Sequence, residues 1–117
     1  MNPDRLIGDA KQFALELARD YTPPPRPQVK VGGEAAFALL KIHIWTGRQT
    51  GFASDYDAVV LEKLAHVLSG GRLTGEQMVP EQYLLDLERE AFLSLSGNAK
   101  TQERIGHMLK VGKPLRN

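Results

Sequence analysis

The sequence predicts an all-α fold, about five helices in an irregular bundle, and three observations predict it. Apolar residues recur at three- and four-residue steps in five separate segments, the period of an amphipathic helix. Glycine pairs, prolines and an Asn-capped turn divide those segments. Only Val29-Lys30-Val31 offers a candidate strand, because no segment alternates polar and apolar residues for long enough.

The first helix runs from Pro3 to Arg19, with Leu6, Ala10, Phe13, Ala14, Leu17 and Ala18 on its apolar side. Asn2 is its cap and Pro3 occupies the first turn, where a missing N–H costs nothing. Tyr21-Thr22-Pro23-Pro24-Pro25-Arg26-Pro27 follows, and four fixed φ angles make it the start of an extended connector over residues 21–31. Glu34 to Gln49 is apolar almost all round, with Ala35, Ala36, Phe37, Leu39, Leu40, Ile42, Ile44 and Trp45. Such a helix must be covered on several sides, either as the centre of the domain or against a missing part.

Ser54 caps the third helix, and Asp55 and Asp57 sit in its first turn with the charge its dipole favours. It runs to about Ser69, where Gly70-Gly71 stops it. A loop from Arg72 to Val79 leads to Pro80 and Glu81, a helix entry, and the fourth helix continues to about Ser96. Asn98 caps the fifth, which ends near Gly112 and Pro114. The 117 residues fit one helical domain.

Lys+Arg 15 against Asp+Glu 14 gives a net charge of +1, so no global field draws the chain to nucleic acid. With Cys 0 there are neither disulfides nor thiolate metal sites, and no run has the length of a membrane span. Together these fit a cytoplasmic protein. His43, His66 and His107 fall on three different helices without the four-residue spacing of a helical metal site. His43, in the most apolar helix, reads as a hydrogen-bonded core histidine. Asp86 and Arg89 are spaced to pair on a helix surface. Gly32-Gly33 and Gly70-Gly71 match no phosphate-binding loop and read as helix punctuation, while Ser54 and Ser69 lack a nucleophile-elbow context. Lys110, Lys113 and Arg116 crowd the end of the last helix. The helix dipole alone accounts for such charge, yet flexible cations beside an apolar helix also suit the phosphates of coenzyme A.

The closing stretch, Glu103, Ile105, Gly106, His107, Met108, Leu109, Lys110, Lys113 and Pro114, resembles the last helix of crotonase-type enoyl-CoA hydratases. The rest follows in order: Arg5 to Ala18 with its A-x-x-L-A rhythm, Tyr21 to Pro25, Ser54 to Asp57, Lys63 to Gly71 and Tyr83 to Phe92. In that order the chain is most similar to the C-terminal helical region of bacterial fused 3-hydroxyacyl-CoA dehydrogenase/enoyl-CoA hydratases of fatty-acid β-oxidation.

The resemblance implies a piece of a larger enzyme that completes an acyl-CoA pocket and packs between subunits. Lys113 stands where the family has a ligand-holding lysine, with Lys110 nearby, and Met108 stands at the aromatic position. A thioether there keeps an apolar contact but loses the aromatic one. The family's oxyanion hole, its glutamate acid/base residues and the glycine-rich NAD motif all fall outside this sequence, so no catalytic residue is assigned to it. The implied partners are the crotonase core and dehydrogenase domains, with acyl-CoA as ligand and a second copy as a candidate neighbour. The alternative is an independent helical interaction module that holds a partner through Ala35–Trp45 or the Pro-rich connector. A stand-alone enzyme would need His43, His66 and a carboxylate to converge.

Overall fold

A computed structural model describes residues 5–117; the expected cap Asn2 and first-turn Pro3 lie outside the described residues. Among those residues are five helices, α1 (Leu6–Ala18), α2 (Gly33–Gln49), α3 (Asp55–Leu68), α4 (Glu81–Ser96) and α5 (Ala99–Val111). Two short strands, β1 (Gln28–Val31) and β2 (Gln77–Pro80), pair antiparallel, with Val29 opposite Val79. The mostly helical bundle expected from periodicity is therefore present.

β1 occupies the expected Val29–Val31 segment and takes up the end of the predicted connector, whereas β2 lies in what reads as loop and helix entry. Four residues, Gln-Met-Val-Pro, carry no periodicity of their own. They become a strand because β1 supplies the hydrogen-bonding partner, a contact nearly fifty positions away. Glu81 N–H donates to the Pro27 carbonyl at 3.1 Å, so α4 starts directly from the ribbon.

The small core gathers where this ribbon meets the end of α3. Val31, Val79, Ala65 and Ser69 are buried there, and Tyr56 is buried at the other end of α3. The glycine pairs do more than interrupt helices. Gly33 has φ +61°, and a Cβ on it would stand 2.5 Å from the Leu73 carbonyl oxygen. Its N–H donates to Ser69 O at 2.8 Å, tying the start of α2 to the end of α3. Gly70, at φ +88°, lies against Val31, while its carbonyl accepts from the Tyr83 hydroxyl at 3.0 Å.

α2 is not the centre of the domain. Apart from Gly33 it contains no buried residue, and Leu39, Ile42 and Trp45 are 56%, 61% and 62% exposed. One side of it packs on α3, with the Phe37 ring edge-on to His66 at 5.9 Å between centroids. The opposite side is bare. His43 is correspondingly exposed, and its Nδ1 lies 2.9 Å from the Leu39 carbonyl one turn back. The expected core histidine is thus a surface histidine, because the contact between α2 and α3 is open along the edge where it lies.

α1 contains no buried residue, and residues 19–27 behind it are exposed throughout. The radius of gyration is 21.7 Å with extents of 64 × 42 × 22 Å. A compact chain of this length would have a radius near 13 Å. The accessible surface, 9307 Å², likewise exceeds the roughly 6,300 Å² of a compact monomer of this mass.

Candidate functional site

Two features could carry function: an apolar groove between α2 and α3, and the polar junction that holds the C-terminal tail beside it. The groove encloses about 390 Å³ and is lined by Leu40, Ile44 and Gly47 from α2, Leu61, Leu64 and Leu68 from α3, and Phe52 and Ala53 between them. It forms because both helices place apolar residues at three- and four-residue steps along the line where they meet. His43 is its one titratable lining group. A groove of this size and lining suits an alkyl chain or an apolar side chain more than a charged ligand.

The junction is built at the N-terminus of α3. Ser54 and Asp57 form a capping box: Asp57 N–H donates to Ser54 Oγ at 3.0 Å, and Ser54 N–H donates to Asp57 Oδ2 at 2.9 Å. Arg104 of α5 then donates through Nη1 to Asp57 Oδ1 at 2.7 Å and through Nε to Asn117 Oδ1 at 2.7 Å. Its guanidinium also lies over the Tyr56 ring, 4.9 Å from the centroid. The Tyr56 hydroxyl shares a 2.6 Å hydrogen bond with Thr101 Oγ1. The Asp57 carboxyl is held down at about 2, first by the Ser54 backbone N–H and then by Arg104, against the upward push of burial.

The tail returns across this junction. His107 Nδ1 donates to the Lys113 carbonyl at 2.8 Å as the chain reverses at Gly112, φ +70°. Arg116 then donates to the Phe52 carbonyl at 3.0 Å. The tail is thereby tied to the loop that contributes Phe52 to the groove lining.

Met108, Lys110 and Lys113 are all exposed, and none of them lines the groove. Met108 and Lys110 are two apart on α5 and therefore point to different sides, while Lys113 lies beyond the Gly112 reversal. Among the described residues neither lysine is in an ion pair. The three histidines do not meet, and the described residues contain no group of three His, Cys, Asp or Glu able to hold a metal ion. Asp86 and Arg89 pair on the surface of α4 at 3.1 Å.

Sequence reasoning misses Arg104. Its partners Ser54 and Asp57 lie 50 and 47 positions away, and nothing in Gln102-Glu103-Arg104 sets it apart from an ordinary exposed helix charge. The Ser54 cap that it extends is readable as a local pattern.

Among the described residues no helix is long and apolar enough to cross a membrane. No family model and no solved structure matches the chain. Along its whole length the chain is 47% identical, over 118 aligned positions, to a probable 3-hydroxyacyl-CoA dehydrogenase of Bacillus subtilis. It spans 15% of that relative's length.

Proposed function

We propose that this chain is the C-terminal helical region of a 3-hydroxyacyl-CoA dehydrogenase that also carries a crotonase-type enoyl-CoA hydratase, acting in cytoplasmic fatty-acid β-oxidation. The carrying observation is the 47% identity along the whole chain to a protein named as a probable 3-hydroxyacyl-CoA dehydrogenase. That likeness supports the dehydrogenase half. The hydratase half rests on the order of motifs from Leu6 to Arg116 and on the closing Met108 to Lys113 stretch.

In this reading the chain supplies packing surface and part of the wall around an acyl-CoA, while NAD and the reacting groups belong to the crotonase core and dehydrogenase portions. Lys110 and Lys113 act as point charges for the coenzyme A phosphates, and Met108 gives an adaptable apolar contact. As exposed charges they attract only modestly and in a salt-dependent way. Large exposed apolar residues on α1, α2 and α4 support the packing role, since such faces mark interaction surfaces.

Two assays test the proposal. The chain alone, given a 3-hydroxyacyl-CoA and NAD or given crotonyl-CoA, is expected to show no turnover above buffer. Robust turnover would mean that it holds a complete active site, and would sink the reading. Calorimetric titration with a long-chain acyl-CoA reads the wall directly: the double change Lys110→Ala and Lys113→Ala is expected to weaken binding about tenfold. Equal affinity in the double variant would remove both lysines from the site.

A further inference from the structure

The uncovered side of α2 is a regular seam. Positions 35, 42 and 49, together with 38 and 45, repeat every seven residues, and Leu39 and Thr46 fall beside them. Every one of these positions is exposed, whereas Phe37, Leu40, Ile44 and Gly47 face α3 and are partly covered. A helix with an apolar seam on the face away from its own domain lacks a helix partner. The described structure supplies none.

We propose that the partner is a second copy of this chain, α2 crossing α2 antiparallel about a two-fold axis near Ile42. In that register the seam complements itself. Ile42 meets Ile42 of the second copy, Leu39 meets Trp45, and the small Ala38 and Ala35 face the longer Thr46 and Gln49. An isologous pair requires this correspondence, since each contact occurs twice. The ends agree in charge as well. Glu34 lies in the first turn and Arg48 in the last, so each end brings a carboxylate within about a turn of a guanidinium, and the helix dipoles run opposite. Arg48 holds Asp55 through Nε at 2.6 Å, and among the described residues its terminal nitrogens make no ion pair. Leu39, Ile42 and Trp45, each more than half exposed, form the apolar centre around which an interface of standard size, about 800 Å² from each partner, is built.

The inference stands apart from the acyl-CoA reading and is tested without it. Sedimentation equilibrium of the chain, from micromolar to submillimolar, is expected to give twice the 13.0 kDa monomer mass at the upper end. Trp45 is the single tryptophan, so its emission should shift to the blue as the dimer forms. Ile42→Glu places two carboxylates on the axis and should weaken the dimer about 100-fold or more, with far-UV circular dichroism unchanged. Ala38→Arg is a second block at the same seam, should Ile42→Glu perturb the helix. Leu93→Glu, at an exposed apolar position on α4, should leave the dimer intact. A wild-type chain that stays monomeric throughout overturns the proposal. So does a dimer insensitive to both seam variants, or one that dissolves with Leu93→Glu.

Discussion

Arg104 joins parts of the chain that share no local sequence: the α3 cap through Asp57 and Ser54, the Tyr56 ring, and the returning tail through Asn117. Its side chain and that of Asp57 are each 22% exposed, so the pair is shielded well beyond a surface salt bridge. Arg104→Ala is expected to cost about 2 kcal/mol in urea unfolding, because it leaves Asp57 without its charge partner. It should also free the tail, which limited proteolysis beyond Gly112 would detect. The depressed Asp57 carboxyl makes a pH-dependent contribution of known sign. Its stabilisation is fully present above the ordinary value of 3.8 and is lost as pH falls toward the folded value of about 2. The stability gap between wild type and Asp57→Asn is therefore expected to shrink by about 2 kcal/mol on going from neutral pH to the foot of that window. A gap constant with pH would separate Asp57 from acid unfolding. At this scale the Ser54 cap and the acidic first turn behind it were legible, since both are local patterns. The reciprocal Asp57 bond that makes this cap a box, and the guanidinium that extends it, were supplied by the fold.

Among the elements, α2 and α3 are locked together through Gly33, whose positive φ and close approach to the Leu73 carbonyl leave no room for a side chain. Gly33→Ala is expected to destabilise the domain by about 2 kcal/mol or more, read as a lower thermal midpoint. Gly51→Ala, strained in φ but with open space around it, should cost less. α1 behaves differently from the rest. Thirteen residues without a buried side chain are too few to be a stable helix in water by themselves. Its amides are expected to exchange with solvent at least about 100-fold faster than those of α3, and slow exchange in α1 would show that something covers it. Helix periodicity located all five helices, and the caps at Ser54 and Asn98 set where α3 and α5 begin. β2 escaped because four residues carry too little pattern, and their strand state belongs to the pair rather than to the segment.

The whole molecule exposes far more surface than a compact domain of its mass, and many large apolar side chains lie on it. If α2 self-association supplies part of the missing cover, stability becomes linked to concentration. A tenfold increase in chain should then raise the thermal midpoint by about 3 °C in wild type and leave that of Ile42→Glu unmoved. A wild-type midpoint independent of concentration would place the cover elsewhere. The sequence by itself determined the helices, their caps, the Pro-rich spacer and the apolar circumference of α2, because each is encoded by neighbours within a few turns. Only the tertiary structure decided which side of α2 is covered, that Arg104 anchors the tail, and that Met108, Lys110 and Lys113 lie away from the groove. Those outcomes depend on contacts between residues dozens of positions apart, whose geometry local propensity does not carry.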